Sequence, residues 1–283
     1  MAERVGVLVG YDGSEGAKRA LRWAAEEAAL RAVPLTILHA WLVVVPGFVV
    51  VPMENLAEGA QALAKEAAEG VRAAHPELEV RTRVECGSAP ALLIGLSGKA
   101  ELTVVGRSGS SSVGEVLVGS VSAAVSMHAH GLVTVVKDTV EGDSRPVLTA
   151  VDGSEAGDLA LEAAFTEAHL RRAPLRVLCV WPEGTAVQEV PFLDGDGLRA
   201  ICRDRFEEAV GRLRAKYPDV DATASFVDGD PADRVIEASE EARLLVVGSR
   251  GRGAVRGFFL GSVSQVAVHH ARCSVMVAHR PET

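Results

Sequence analysis

Much of what the sequence says first comes from what it lacks. Four cysteines, Cys86, Cys179, Cys202 and Cys273, are spread through 283 residues with no C-x-x-C spacing. A disulfide framework and a thiolate metal ribbon are therefore not encoded, and the cysteines read as reduced, small buried hydrophobes. Positive charge is in deficit, with 29 Lys and Arg against 38 Asp and Glu, a net charge of −9. That balance argues against nucleic acid or an anionic membrane as the main partner, because both need a cationic footprint. The longest apolar run, Trp41 to Pro52, is broken by Pro46 and Gly47 and falls short of the ~20 residues that span a bilayer. No basic segment followed by an apolar stretch opens the chain at Met1-Ala2-Glu3-Arg4-Val5, so no signal peptide is expected. The expectation is a soluble cytoplasmic protein without a membrane partner. Enzyme signatures are missing too: no G-x-x-x-x-G-K-S/T, no G-x-S-x-G and no H-E-x-x-H occurs. The first turn, Gly10-Tyr11-Asp12-Gly13, is not G-x-G-x-x-G, which disfavours a dinucleotide dehydrogenase.

What is present is present twice. Gly106-Arg107-Ser108-Gly109 is followed by nine residues and then Gly119-Ser120-Val121-Ser122; Gly248-Ser249-Arg250-Gly251 is followed by nine and then Gly261-Ser262-Val263-Ser264. Val9–Glu15 answers to Thr149–Glu155 at an offset of 140, as Trp41 does to Trp181, while Gly106 answers to Gly248 at 142. The two extra residues fall between Trp181 and Gly248. The repeat divides the chain into a domain at 1–137, a polar, turn-rich linker at 138–145 and a second domain at 146–283. Each half is large enough to bury its own core.

Both halves alternate short apolar runs with amphipathic stretches. In the first, strands are expected at Val5–Val9, Leu35–Trp41, Glu79–Glu85, Leu102–Val105 and Leu132–Val136. Helices are expected at Ala17–Ala32, Asn55–Ala74, Ser88–Lys99 and Ser120–His128. In the second, strands are expected near Val147–Ala150, Leu175–Val180, Ala222–Val227, Leu244–Val247 and Ser274–Ala278, with helices near Glu155–Arg172, Leu198–Tyr217, Pro231–Glu241 and Ser262–Ala271. Apolar strands of four or five residues between helices indicate an α/β fold with a parallel sheet covered on both faces.

In such a sheet, ligands sit beyond the carboxyl ends of the strands where the strand order reverses. Asp12 or Asp152 after the first strand, and the glycine run after the fourth, occupy that edge. Glycine lets the backbone approach a ligand closely. Gly119-Ser120 and Gly261-Ser262 lie where a helix begins, and its free N–H groups and positive dipole end favour an anion. A nucleotide fits this chemistry, with its base or sugar near the aspartate and its phosphates at the helix end. A plainer reading remains open: Ser120 and Ser262 cap helices, and Asp12 and Asp152 only shape the turns before Ser14 and Ser154.

G-x-x-G, nine residues, then G-S/T resembles the signature of the ATP-binding branch of the universal stress proteins, and the likeness covers Arg4 to about Ala278. It implies two tandem Rossmann-like (adenine nucleotide alpha hydrolase-like) domains, each a five-stranded parallel sheet of order 3-2-1-4-5 with helices on both faces. It further implies that Asp12 and Asp152 contact the adenine edge, and that Ala40 and Val180 meet adenine through their backbones. Gly106, Gly109, Gly248 and Gly251 would line the ribose and phosphates. Gly119, Ser120, Val121 and Ser122, with Gly261, Ser262, Val263 and Ser264, would hold the phosphates. The implied cofactor is ATP, with or without Mg2+. Leu132–Val136 and Ser274–Ala278 become candidates for pairing the repeats within a chain or two chains in a homodimer.

The resemblance points to a nucleotide-dependent regulatory binding protein of the stress response. Slow ATP hydrolysis or phosphate transfer, and a nucleotide-free dimeric scaffold, stand as alternatives. The copies differ in charge: Arg250, Arg252 and Arg256 accompany the second glycine run, against Arg107, Ser110-Ser111-Ser112 and Glu115 in the first. Arginine near a triphosphate adds charge-assisted hydrogen bonds and a carboxylate repels it, so the second repeat is expected to hold ATP more tightly.

Overall fold

A computed structural model of the chain describes residues 5–42, 53–107, 118–137, 144–182, 195–251 and 260–281. Contacts divide it into two compact units, the first ending at Asp138 and the second running Thr139–Arg280. The first six residues of the expected linker, 138–143, lie outside the described residues, as do 43–52 of the apolar run.

The first unit contains β1 (Gly6–Gly10), α1 (Glu15–Arg31), β2 (Leu35–Trp41), α2 (Met53–Ala74), β3 (Val80–Cys86), α3 (Ala89–Ser97), β4 (Ala100–Gly106), α4 (Ser120–His128) and β5 (Leu132–Val136). Its strands pair in the order β3-β2-β1-β4-β5, every pairing parallel. The second unit contains β6 (Val147–Ala150), α5 (Glu155–Arg171), β7 (Leu175–Trp181), α6 (Gly195–Lys216), β8 (Ala222–Asp228), α7 (Pro231–Ser239), β9 (Leu244–Gly248), α8 (Ser262–His270) and β10 (Ser274–Ala278). Taken by itself it has the same parallel order, β8-β7-β6-β9-β10. Each unit thus has the expected 3-2-1-4-5 arrangement, with its switch point between the first and fourth strands.

The central strands are apolar because both faces are covered. Val7, Leu8, Val9, Leu102 and Val104 in one unit, and Leu148, Leu244 and Leu245 in the other, are fully buried or nearly so. The helix after each first strand is alanine-rich on its inner face, with Ala20, Ala24 and Ala28 or Ala160, Ala164 and Ala168 buried at helical spacing. Small side chains let that helix lie close to the sheet. It starts on a serine cap: the Ala17 N–H donates to Ser14 Oγ at 3.2 Å, and the Gly157 N–H to Ser154 Oγ at 3.1 Å. It stops at Ala32 or Arg172 in the left-handed region, whose N–H groups bond back into the last turn. Near its end a buried carboxylate meets an arginine one turn on, Glu27 with Arg31 at 2.6 Å and Glu167 with Arg171.

Two details depart from expectation. The third helix of each unit ends earlier, at Ser97 and Ser239. Each of these hydroxyls donates to a carbonyl three residues back and accepts an N–H from the chain after the fourth helix, His130 or Arg272. No disulfide forms among the described cysteines, and only Cys273 is fully buried; Cys86 is exposed, because it closes β3 at the margin of its unit's strand order. Among the described residues no helix is long and apolar enough to cross a membrane.

Candidate functional site

In the first unit the carboxyl ends of β1, β2 and β4 open onto a cleft with about 680 Å3 of empty space, part of it continuous with solvent. One wall is apolar: Leu38 and Ala40 of β2, Leu93 of α3 and Val105 of β4. Leu38 and Ala40 are two apart on one strand and so share a face. The start of α4 also lines the cleft, with Gly119, Ser120, Val121 and Ser122. Asp12, exposed, and Tyr11, buried, line it as well. Burial pushes the Tyr11 phenol above its ordinary pKa, partly countered by the Lys18 charge, so the ring stays neutral.

The start of α4 carries the chemistry. Its N-cap is Gly119, which has no side chain to accept an N–H, and no side-chain bond closes the helix end. The first internal bond is Ala123 N–H to the Gly119 carbonyl, 2.9 Å. The amides of Ser120, Val121 and Ser122 precede it and have no partner within the helix. They face the cleft with the positive dipole end behind them. By contrast α1, α5 and α7 are capped by Ser14, Ser154 and Asp230. Ser120 is the first residue of α4, not its cap, so the plain capping interpretation fails there.

Gly106 permits the cleft. A Cβ on it would lie 2.6 Å from the Gly16 carbonyl oxygen, so the end of β4 touches the backbone of α1 directly. Ser122 then fastens α4 to the same point, its hydroxyl donating to the Gly106 carbonyl at 2.5 Å. That proton is engaged in tethering the helix, so an anion at this end would meet the Ser122 backbone N–H, not a free hydroxyl proton.

The second unit repeats the frame. A Cβ on Gly248 would lie 2.6 Å from the Ala156 carbonyl oxygen, and Ser264 donates to the Gly248 carbonyl at 2.5 Å. α8 starts on Gly261 with no side-chain cap bond. Here the glycine run lies against the aspartate: a Cβ on Gly251 would fall 2.6 Å from Asp152 Oδ2, and the Gly261 Cβ position is 3.4 Å from the Gly251 nitrogen. Asp152 Oδ1 accepts from the Ser154 N–H at 3.0 Å and the Ser154 hydroxyl at 2.6 Å. In both units the aspartate does shape its turn, since Asp12 Oδ1 likewise accepts from the Ser14 N–H at 3.0 Å.

Seven expected residues line the first cleft together: Asp12, Ala40, Gly106, Gly119, Ser120, Val121 and Ser122. In the second unit Asp152, Gly248, Arg250, Gly251, Gly261 and Ser264 form one connected group. Ser262 and Val263 open α8, and Val180 stands two residues past Leu178, which accepts the Val151 N–H at 2.9 Å. Gly109, Ser110-Ser111-Ser112, Glu115, Arg252 and Arg256 lie outside the described residues. Sequence reasoning missed Tyr11, Leu38, Ala89 and Leu93 in the cleft. Leu38 was readable from its strand face, while Leu93 depends on how α3 packs.

Two parallel α/β units, each with a glycine-run switch point and a helix start without a side-chain cap beside it, define a tandem Rossmann-like protein. The universal stress protein family model matches residues 6–137 and again 144–279. The chain belongs to that family, as a tandem member. It is 35% identical over 295 residues to a universal stress protein of Mycobacterium tuberculosis (strain H37Rv), covering 99% of this chain and 98% of that one. It is 34% identical over 291 residues to one from Mycobacterium bovis, covering 97% of each. In fold it is similar to the crystal structure of a universal stress protein from Archaeoglobus fulgidus DSM 4304, with TM-score 0.73 and 22% identity, over 98% of this chain and 99% of that one.

Proposed function

We propose that each unit is an adenine nucleotide site and that the protein acts by binding ATP, as a nucleotide-dependent regulator in the stress response. The observation that carries this is the uncapped start of α4 lining one cleft together with an apolar wall. A triphosphate supplies the anion that three free amides and a helix dipole favour. A flat, weakly polar base suits the wall of Leu38, Ala40, Leu93 and Val105. Asp12 in the cleft lining is an acceptor for an amino or hydroxyl group of the ligand. Among the described residues no group of three His, Cys, Asp or Glu is placed to hold a metal, so Mg2+ would enter on the phosphates. Binding would tie the glycine run to the helix start, and that ordering is the signal a partner could read.

Mass spectrometry of the small molecules released by denaturing freshly purified protein tests this. Adenine nucleotide in stoichiometric amount is the expected result. Protein that releases none, and that gives no heat on titration with ATP, overturns it.

A further inference from the structure

The last backbone bond between β1 and β2 runs from the Tyr11 N–H to the Leu38 carbonyl, 2.9 Å. In a parallel ladder the next bond would run from the Ala40 N–H back to the Tyr11 carbonyl. The chain has by then turned through Asp12 and Ser14 into α1. Instead, His39 Nδ1 lies 2.8 Å from the Tyr11 carbonyl oxygen. A carbonyl only accepts, so Nδ1 carries the proton. We infer that His39 is a positioning residue of the first site: its side chain replaces the missing ladder bond, fixing the Tyr11–Asp12 peptide and leaving the Ala40 backbone turned to the cleft.

Residue parity supports the second half of this. The Leu38 carbonyl points toward β1, and the Trp41 carbonyl points toward β3, where it accepts the Gly87 N–H at 2.9 Å. Ala40 shares the direction of Leu38, beyond the point where β1 ends, and lines the cleft. Asp12 and Ala40 are the two groups at its base-binding end, and His39 joins their strands across a separation of 28 residues. The second unit reaches the same last bond, Val151 N–H to the Leu178 carbonyl at 2.9 Å. Cys179 occupies the place of His39 there, and a thiol is a weak donor. An imidazole donor at this position is thus particular to the first unit.

Its consequence for affinity rests on the nucleotide function proposed above; the clasp itself does not. Hydrogen-exchange mass spectrometry on the full chain separates the two, using His39→Cys, which installs the second unit's residue, and His39→Asn. The Asn amide nitrogen is as many bonds from Cα as Nδ1, so it keeps the donor. In His39→Cys, amides of residues 11–16 should exchange about fivefold faster, the scale of one hydrogen bond, while residues 150–156 stay as in the wild type. His39→Asn should return the first segment to within about twofold of wild type. With ATP titrated in, the midpoint for protection of residues 11–16 should rise about fivefold in His39→Cys and recover in His39→Asn. Unchanged exchange in His39→Cys, or His39→Asn behaving like it, overturns the inference. If ATP protects neither segment in the wild type, the nucleotide proposal falls, and the exchange of residues 11–16 still decides the role of His39.

Discussion

The two units share a frame and differ at its two ends. After the first strand the first unit has Tyr11 and the His39 clasp where the second has Val151 and Cys179. In the glycine run the second carries Arg250 where the first has Ser108. Their cores differ as well. In the first unit the buried hydroxyls of Thr103, Ser126 and Thr134 have no hydrogen-bond partner among the described residues. At the repeat offset of 142 the second unit places Leu245, Val268 and Met276 there. Duplication preserved the switch point while core and rim drifted, so a repeat marks where a site is without making two sites equal.

The most damaging way to break the symmetry is at Gly106 or Gly248. Valine at either would drive a Cβ into backbone 2.6 Å away. Strain of this kind should destabilise the affected unit by about 3 kcal/mol, the upper range for overpacking. Urea denaturation, followed by hydrogen exchange in each unit, would show whether only the substituted one is weakened.

Gly119→Asp and Gly261→Asp should move binding and stability in opposite directions. An aspartate at the N-cap accepts the free amides itself and repels phosphate, so ATP affinity at that site should fall at least about tenfold. The helix end should gain a few tenths of a kcal/mol over glycine. Titration calorimetry and thermal melting on the same variants check both signs; a loss of binding accompanied by a loss of stability would point to damage instead.

Arg250→Ala should sharpen the contrast between phosphate end and base end. It should weaken ATP at the second site about fivefold, on the scale of one charge-assisted bond to an exposed side chain, and leave adenosine unaffected. Equal losses for the two ligands would place Arg250 away from the phosphates.

The smallest effect is expected in the first core. Thr134→Val removes an unpartnered buried hydroxyl at nearly constant volume and should stabilise the first unit by about 1 kcal/mol. A loss of stability in chemical denaturation would mean that the hydroxyl is satisfied in solution.

Most of the frame was legible because it is written locally. Buried parallel strands appear as apolar runs such as Leu132–Val136 and Ser274–Ala278, and both were placed to the residue. The glycine runs stood out through their doubled spacing, and Gly106, Gly119, Ser120, Val121 and Ser122 do meet in one cleft with Asp12, marked by its place after β1, and Ala40, implied by the resemblance. What was hidden depends on contacts between distant segments. The clasp joins a side chain to a carbonyl 28 residues away, and the other repeat has Cys179 in place of the histidine, so neither periodicity nor repetition could flag it. The hydroxyls of Ser122 and Ser264 look like ligand donors in sequence, yet each tethers its helix to the strand end 16 residues earlier. Cys86 read as a buried hydrophobe because nothing in its neighbours marks β3 as the strand at the margin.

On the proposed function, the duplicated glycine run builds two nucleotide sites of unequal strength. Titration calorimetry of the full chain with ATP, counted per chain, tests it most directly. Two binding events of different affinity are predicted, one removed by Gly119→Asp and the other by Gly261→Asp. No binding, or a single event that survives both substitutions together, would contradict it.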